Sequence, residues 1–387
     1  MRHRVFASVL ILLFCACLTG WWISRSSTPL PPPTTSSRQV IDLAGRQVLI
    51  PEQVNRFVLM RGMGLYDVAV LLGEETPQKL VGWDSSLKSS DRDAYEKFVE
   101  RFPRLAEVPM LGDTLRKGVS AESILALQPD LVIGGTYMIG QTECLEQVAQ
   151  AGVPVLYLSS DDPFHDPQQS LALLGEVFGM QQRAQEMIEW VNREMNVVQD
   201  RLSRLDGPIP SIYVEAGNFG PGKYGNTFGC NLQKQRMNWG SILAQIRCQN
   251  VAEDLSGPYG MAVIQPEYLL ARNPDVVVIT GACWEAFPES LHLGYAADPE
   301  KARSNLRDYQ ARPGWSELNA VRDGRVYGLN TRLGSHIMSF AAVQQLAKWL
   351  YPSQFQDLDP RQRLQEFHEK YMPIGFSGTW MVELKDR

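Results

Sequence analysis

Arginine and aromatic side chains follow several of the strands that the sequence pattern predicts. Arg61 closes the first predicted strand, and Trp83 and Tyr137 follow the second and third. Arginine can pair through two nitrogens with carboxylate or catecholate oxygens, and aromatic rings offer flat contact to a planar or chelated ligand. We therefore expect a binding site for a ligand of that kind. Its candidate residues, from both halves of the chain, are Arg61, Trp83, Tyr137, Tyr224, Trp284, Arg332 and His336.

Direct metal coordination is a second chemistry that the residues could support. Beyond the N-terminal segment the histidines are His165, His292, His336 and His368, and three of them lie in or near predicted binding loops. No H-x-x-x-H pair or histidine-rich loop is present. Scattered histidines are more often structural or exposed, so the sequence favours a chelated ligand over a bare metal ion and predicts no metal ligands of the protein's own.

A stretch that occurs twice shows how these loops are organised. Residues 119–133 (VSAESILALQPDLVI) and 264–278 (IQPEYLLARNPDVVV) align without a gap at an offset of 145 residues. Each copy predicts a short helix with a glutamate in its first turn, Glu122 or Glu267, followed by a Pro-Asp turn and a buried strand. Two copies so far apart indicate two similar α/β lobes with a cleft between them.

The chain between and around the two copies predicts the rest of the architecture. Strands alternate with helices in both halves, which indicates mainly parallel sheets flanked by helices. From Gln168 to about Leu205 apolar residues recur at helical spacing, with a break at Gly179, so we expect a short helix and a long interlobe helix of roughly 30 Å or more. The expected parts are an N-terminal lobe (40–166), an interlobe helical segment (167–206) and a C-terminal lobe (207–387).

Composition and motifs argue against several functional classes. The chain is 44% hydrophobic and 21% charged, with 37 basic and 43 acidic residues and a net charge of −6. This acidic balance, without a basic stripe, argues against nucleic acid as a partner. No G-x-S-x-G, P-loop or strand-linked G-x-G-x-x-G motif is present, so we expect no catalytic residues.

Residues 1–25 are predicted to be a signal peptide or a membrane anchor. A basic start is followed by an almost wholly apolar stretch from Val5 to Leu18. Cys17 suggests lipid attachment, but the three residues before it depart from the usual lipobox, and Val5 to Ile23 could span a bilayer if uncleaved. Soluble, lipid-anchored and helix-anchored forms stay open, all with the folded part in the periplasm. Residues 26–39, rich in proline and serine, predict an extended linker.

Four cysteines follow this segment, and none lies in a C-x-x-C arrangement. In an oxidising compartment we expect them to be paired or buried rather than metal-binding. A disulfide between Cys230 and Cys248, which flank a predicted loop and helix, is the first choice. The other pairings and free thiols stay open for the full set of Cys144, Cys230, Cys248 and Cys283.

Several stretches together resemble one protein family. They are Asp42-Leu-Ala-Gly-Arg-Gln-Val, the two Glu…Pro-Asp units, Asn250-Val-Ala-Glu-Asp, and Arg312 to Tyr327 (RPGWSELNAVRDGRVY). Each is weak alone, but in this order and spacing they resemble the class III periplasmic substrate-binding proteins of ABC importers, over residues 40 to about 350. The resemblance implies two lobes joined by a rigid interlobe helix, with the ligand in a cleft at the carboxyl ends of the strands.

The resemblance also implies partners. In this family one glutamate of each lobe contacts arginines of the membrane permease, and Glu122 and Glu267 occupy those motif positions. A structural role is compatible with the same pattern, because a carboxylate at a helix N-terminus gains about 0.3–1 kcal/mol from the helix dipole.

The expected function is capture of an iron chelate, such as a ferric siderophore, and its delivery to an ABC permease. We expect a monomer without a cofactor. Haem, cobalamin or a bare metal ion are alternative ligands. An anchored sensor module and an enzyme are the remaining, less favoured alternatives.

Overall fold

The computed structural model describes residues 36–114 and 118–384. The predicted signal or anchor at 1–25 and most of the predicted linker lie outside the described residues. The last part of that linker prediction is wrong, because residues 37–39 belong to a strand that begins at Ser37. Among the described helices, none is long and apolar enough to cross a membrane.

Strands and helices alternate along the described chain, and their bounds are as follows. The first part contains β1 (Ser37–Ile41), β2 (Gln47–Pro51), β3 (Phe57–Leu59), α1 (Leu65–Leu72), α2 (Thr76–Lys79), β4 (Leu80–Trp83), α3 (Ser86–Ser90), α4 (Arg92–Arg101), α5 (Ala121–Leu125), β5 (Leu131–Gly135), α6 (Glu143–Gln150), β6 (Val155–Leu158), α7 (Asp166–Phe178) and α8 (Gln181–Leu202). The second part contains β7 (Ser211–Ala216), β8 (Asn226–Phe228), α9 (Trp239–Gln245), β9 (Gln249–Asn250), β10 (Met261–Val263), α10 (Pro266–Arg272), β11 (Val276–Gly281), α11 (Pro299–Tyr309), α12 (Asn319–Arg322), β12 (Val326–Asn330), α13 (Ser339–Leu350), α14 (Pro360–Tyr371) and β13 (Met381–Glu383).

The N-terminal lobe is built on a parallel four-stranded sheet with the order β4-β3-β5-β6. Side chains alternate between its two faces, so that Leu59 and Ile133 join one apolar core while Val58 and Val132 join another. Both faces are therefore covered, which explains why these strands are continuous apolar runs in the sequence.

The C-terminal lobe has a separate seven-stranded sheet with the order β10-β8-β7-β11-β12-β13, and β9 pairs with β7. Its centre is parallel, formed by β7, β11 and β12, and the outer strands pair antiparallel: β8 with β7, β10 with β8, and β13 with β12. Two lobes with mainly parallel sheets are thus confirmed. The short strands β8, β9, β10 and β13 were not predicted, because two or three residues carry too little periodicity to identify a strand.

The duplicated stretch forms the same unit in both lobes. Helices α5 and α10 are each followed by a residue in the left-handed region, Gln128 with φ of 48° and Asn273 with φ of 43°. These residues are 145 positions apart, as the alignment of the two copies requires. The left-handed residue reverses the chain so that the next strand, β5 or β11, enters the centre of its sheet.

The aspartate of each copy links two neighbouring strands. Asp130 Oδ2 accepts hydrogen bonds from the main-chain N–H groups of Asn55 and Arg56, at 2.9 Å each, just before β3. Asp275 Oδ2 accepts from the N–H and the hydroxyl of Ser211, at 2.8 Å each, at the start of β7. In each lobe the aspartate therefore holds the start of one central strand beside the start of the next.

One long helix joins the lobes. Gly179, in a left-handed conformation with φ of 71°, ends α7, and α8 follows with 22 residues, a length of about 33 Å. Near its start Arg183 donates to a main-chain carbonyl of α1 in the N-terminal lobe at 2.7 Å. Farther along, the buried Glu194 binds Arg363 of α14 in the C-terminal lobe. The helix is thus attached to both lobes.

A buried ion pair holds the loop after β7. Glu215 and Arg312 form two parallel hydrogen bonds of 2.8 and 3.0 Å, with both side chains almost fully buried. Arg312 also donates to three main-chain carbonyls of residues 220–223, and Gly225 N–H donates to Glu215. The pair therefore shapes the glycine-rich segment between β7 and β8.

We predict that Arg312→Met destabilises the protein by about 3–5 kcal/mol, because it leaves the Glu215 carboxylate buried without its counter-ion. Urea unfolding followed by circular dichroism measures the change. The control is the double variant Arg312→Met, Glu215→Gln, which removes the uncompensated charge and should lose less stability than Arg312→Met alone. Equal losses in the two variants would contradict the explanation.

His368 lies in an aromatic cluster of the C-terminal lobe and is almost fully buried. Its Nδ1 donates to the Leu364 carbonyl at 2.7 Å, so in the neutral ring Nε2 accepts the hydrogen bond from Tyr295 Oη at 2.9 Å. Burial lowers the pKa of His368 to about 4. Both nitrogens have protein partners, which gives this histidine a structural role rather than a metal-binding one.

The lowered pKa predicts a loss of stability in acid. In the unfolded chain His368 takes up its proton near its ordinary pKa of about 6.5, whereas the folded protein resists protonation down to about 4. The stabilising contribution is therefore complete above pH 6.5 and falls by roughly 2–3 kcal/mol by pH 4.5. Urea unfolding at pH 6.5 and at pH 4.5 measures this loss, and the free energy of unfolding of His368→Gln should depend less on pH than that of the unaltered protein. An unchanged dependence would contradict the assignment.

Candidate functional site

Five side chains converge between the lobes, and we call this group the interlobe site. Arg61, Tyr137 and Ser160 lie just beyond the carboxyl ends of β3, β5 and β6 in the N-terminal lobe, and Arg332 follows β12 in the C-terminal lobe. Tyr259 comes from the turn before β10. Four of the five thus follow the carboxyl ends of parallel strands, the usual place for ligands in open α/β sheets.

Asp84 positions the loop that carries Arg61. Its buried carboxylate accepts hydrogen bonds from Gly62 N–H, from Ser86 through both N–H and hydroxyl, and from the Thr114 hydroxyl at 3.1 Å. Burial raises the pKa of Asp84, and these hydrogen bonds oppose that rise. Position 62 must be glycine, because a Cβ there would lie 2.7 Å from the Asp84 main-chain oxygen. Arg61 is therefore held on a well-defined loop.

Arg61 and Tyr137 form the N-terminal side of the site. Arg61 Nη1 donates to Ser160 Oγ at 2.9 Å, and both residues are partly exposed. Burial raises the pKa of Tyr137 to about 12, and the nearby charge of Arg61 acts in the opposite direction. Tyr137 is therefore a neutral phenol at physiological pH that can donate a hydrogen bond beside a guanidinium group.

Arg332 reaches from the C-terminal lobe into contact with the N-terminal lobe. Its Nη1 donates to Met63 Sδ at 3.8 Å, and its Nε lies 4.0 Å from Asp91 Oδ2. Burial lowers the pKa of Arg332, and the charge of Arg61 lowers it further, which shows that the two guanidinium groups lie within electrostatic range. Each lobe thus contributes one arginine to the same region.

Burial weakens the carboxylate that pairs with Arg332. Burial raises the pKa of Asp91 to about 8, against the effect of Arg332. Asp91 therefore compensates the Arg332 charge less fully than an exposed carboxylate would. An anionic ligand between Arg61 and Arg332 would compensate the remainder.

Tyr259 is a site residue that the sequence analysis missed. Its side chain is 48% exposed, and it contributes to the raised pKa of Tyr137 in the opposite lobe. Its φ is +55°, a conformation that costs a residue other than glycine about 1–2 kcal/mol. Such strain is often found where a side chain contacts a ligand. The Pro258-Tyr-Gly260 turn is the sequence signal that could have indicated it.

Two predicted binding residues are core residues instead. Trp83 and His336 are fully buried. Trp83 packs against Tyr95 at 5.9 Å between ring centroids, and His336 packs against Tyr66 at 5.3 Å. Burial also lowers the pKa of His336, which keeps the ring neutral. Neither side chain offers surface to a ligand, and this corrects the prediction for both.

Tyr224 and Trp284 have different surroundings. Tyr224 accepts a hydrogen bond from Trp315 Nε1 at 2.7 Å and lies against the Arg312 guanidinium at 4.4 Å, so it supports the buried ion pair rather than the interlobe site. Trp284 lies in the loop after β11, next to a hydrogen bond from Glu285 N–H to the Ser89 carbonyl of the N-terminal lobe. Trp284 therefore stays a candidate at the boundary between the lobes.

The predicted disulfide between Cys230 and Cys248 is not formed. Both are free cysteines, as are Cys144 and Cys283. The Cys248 thiol donates to the Leu243 carbonyl at 3.1 Å, and the Cys230 thiol donates to the Glu253 carbonyl at 3.8 Å. The two thiols thus point to different main-chain partners.

Glu122 and Glu267 lie in the first turns of α5 and α10, one in each lobe, and both are exposed. The pKa of Glu122 is lowered by its own main-chain N–H and by Ser120. The Ser120 hydroxyl accepts from Ser123 N–H at 3.2 Å and caps α5. The two carboxylates are thus accessible to a partner from solvent.

Comparisons with known proteins agree with this architecture. The family model described as periplasmic binding protein matches residues 70–333. The molybdate-binding protein MolA of Haemophilus influenzae is 24% identical and aligns over 88% of this chain and 92% of its own. The ABC transporter substrate-binding lipoprotein YvrC of Bacillus subtilis is 24% identical over 71% and 76% of the two chains. The crystal structure of the TroA-like periplasmic binding protein FepB from Veillonella parvula superposes with a TM-score of 0.82, at 29% identity, over 90% of this chain and 99% of its own.

Proposed function

The chain belongs to the periplasmic binding protein family, and we propose that it captures an anionic iron chelate of the ferric-siderophore type in the interlobe site. As a member of this family it is an extracytoplasmic substrate-binding protein of an ABC importer and not an enzyme. Its partner is therefore the permease of that importer. The identity of the ligand is the part that we propose.

The observation that carries the proposal is the convergence of Arg61 and Arg332 from opposite lobes. Arg332 is mostly buried, and burial weakens the negative charge of its ion-pair partner Asp91. A ligand with carboxylate or catecholate oxygens would accept hydrogen bonds from both guanidinium groups and offset their repulsion. Because one arginine belongs to each lobe, such a ligand binds the closed arrangement more strongly than an open one.

The tyrosines favour a ligand with broad surfaces. Tyr137 belongs to one lobe and Tyr259 to the other, and neither is fully buried. Each ring can pack against a flat chelating group while its hydroxyl makes a hydrogen bond. This combination of two arginines and two tyrosines supports a metal chelate with a large organic envelope.

A compact oxyanion is the second candidate. The similarity to the molybdate-binding protein MolA extends over 88% of the chain, and two guanidinium groups also suit a tetrahedral anion. Such a ligand has no flat surface for an aromatic ring, so we expect it to depend on the two arginines and less on the ring of Tyr259. The two candidates therefore differ in their dependence on Tyr259.

Attachment to the membrane is also a proposal. Similarity to the lipoprotein YvrC supports a lipid anchor on this chain, and an uncleaved N-terminal helix would serve the same purpose. Either anchor would keep the protein close to its permease.

We predict that the purified protein binds a ferric catecholate complex saturably, and that Arg61→Gln and Arg332→Gln each weaken binding by tenfold or more. The loss of a hydrogen bond to a charged group costs about 1.5–3 kcal/mol, and 1.4 kcal/mol corresponds to a factor of ten. Isothermal titration calorimetry measures the affinity.

The matched control is Arg201→Gln. It removes from α8 a guanidinium group that forms a surface ion pair with Asp357, and it should leave the ligand affinity unchanged. Parallel titrations with sodium molybdate and with Tyr259→Ala distinguish the two candidates. Tight molybdate binding with the same affinity in Tyr259→Ala would favour the oxyanion. Full ligand affinity in both arginine variants would contradict the role of the arginine pair.

We also propose that Glu122 and Glu267 are the contacts to arginines of the permease. Each lobe presents one of these exposed carboxylates at the start of the same helix–strand unit. Two acidic contacts, one on each lobe, would let the permease sense whether the lobes are closed.

The double variant Glu122→Arg, Glu267→Arg is expected to abolish ligand uptake by cells while ligand affinity in calorimetry stays normal, because like charges then face the permease arginines. The control reverses two other exposed glutamates, Glu100 on α4 and Glu189 on α8, and should transport normally. Normal uptake by the Glu122, Glu267 variant would disprove the docking role.

A further inference from the structure

Three potential metal ligands from the two lobes meet outside the interlobe site. Asp93 lies in the first turn of α4 in the N-terminal lobe, and Cys283 and His292 lie in the loop between β11 and α11 of the C-terminal lobe. One ligand atom from each residue lies within 4.8 Å of the other two. A carboxylate, a thiol and an imidazole in one place are the donor set of many zinc sites.

The spacing of the donors suits a tetrahedral ion. Two ligands at about 2.1 Å from zinc and at a tetrahedral angle lie about 3.4 Å apart. His292 Nε2 and Asp93 Oδ2 are separated by 3.5 Å. His292 Nε2 is also buried and has no hydrogen-bond partner at ordinary distance. The ring nitrogen therefore faces the Asp93 carboxylate at the spacing that two ligands of one tetrahedral ion would have.

The cluster is held by main-chain hydrogen bonds around it. Asp93 Oδ2 accepts from Ala296 N–H at 3.0 Å, and Asp93 Oδ1 accepts from Ala94 N–H at 2.9 Å. The Cys283 carbonyl accepts from Arg92 N–H at 2.9 Å. These bonds hold α4 against the loop after β11, so the three donors are oriented before any ion binds, as effective metal sites require.

We propose that Asp93, Cys283 and His292 form a binding site for one zinc-class divalent cation that connects the two lobes. Thiolate and imidazole ligands select zinc and its softer relatives over magnesium and calcium, which prefer oxygen alone. Three protein ligands leave a fourth tetrahedral position for water or an external donor. The site shares no residue with the interlobe site, so it does not depend on the identity of the transported ligand.

The cation would act on the contact between the lobes. Asp93 belongs to one lobe and the other two ligands to the other, so all three can bind the ion only while α4 touches the loop after β11. The ion therefore binds more strongly to the conformation in which α4 contacts the loop after β11 than to one in which the lobes have separated at this contact. Zinc would favour the closed state even without the transported ligand.

The test uses the full-length protein without an affinity tag, kept reduced, with Co²⁺ as a spectroscopic probe and Zn²⁺ for calorimetry. We expect one ion per chain and a thiolate-to-Co²⁺ charge-transfer band. Cys283→Ser should abolish the band, and His292→Ala and Asp93→Asn should each weaken Zn²⁺ binding at least tenfold, because even changes beyond the direct ligands of a metal cost 10–100-fold in affinity.

Two control variants locate the ion. Cys248→Ser removes a different thiol, and His165→Ala removes an exposed histidine beside Asp162. Both should leave the band and the affinity unchanged. Binding that survives in Cys283→Ser and His292→Ala, or no binding of either ion to the unaltered protein, would overturn the proposal.

Hydrogen exchange tests the bridge itself. Zn²⁺ should slow exchange of the Arg92 and Ala296 N–H groups, which lie in hydrogen bonds between the lobes, and should not do so in His292→Ala. Circular dichroism confirms that each variant is folded. Zn²⁺ binding through Cys283 and His292 without protection of Arg92 would show a site confined to the C-terminal lobe and would refute the bridge.

Discussion

The arrangement of both lobes depends on a carboxylate that accepts hydrogen bonds from the start of a neighbouring strand. Asp130 does this for the segment before β3, and Asp275 does it for β7. Hydrogen bonds to a charged group contribute about 1.5–3 kcal/mol each, and these also set the alignment of two parallel strands. Once the starts of the strands are aligned, their carboxyl ends lie at one edge of the sheet, and the loops that carry Arg61, Tyr137 and Arg332 follow from there.

The boundary between the lobes concentrates charge that burial makes costly. Asp91 at the start of α4 lies near Arg332, and Asp93, two residues farther along, lies beside His292. The segment Asp91–Asp93 thus lies beside the interlobe site through Asp91 and contributes Asp93 to the proposed metal site. Because an anion would stabilise the arginines and a cation would stabilise the Asp93 cluster, the two sites would favour the same closed arrangement through different charges.

The sequence predicted the regular elements well where periodicity was strong. Both copies of the duplicated stretch form the expected short helix and strand, and Gly179 ends α7 as expected. Residues beyond strand ends were harder to interpret. A position after a strand can point to the core or to the cleft, and nothing in the local sequence of Trp83 or His336 distinguishes these directions. The pairing of Cys230 with Cys248 failed for a related reason, because the directions of the two thiols depend on how the loop after β8 folds back.

The sequence alone determined that the protein has two similar α/β lobes, because a repeated helix–turn–strand pattern is a local property that residue types and spacing encode. It also indicated that binding loops follow the carboxyl ends of the parallel strands, because those ends share one edge of a sheet. The tertiary structure decided which side chains meet across the lobes: Tyr259 with Tyr137, Arg332 with Asp91, and Asp93 with Cys283 and His292. These residues lie far apart along the chain, and their distances depend on the packing of two independently folded sheets against α8, which no local propensity specifies.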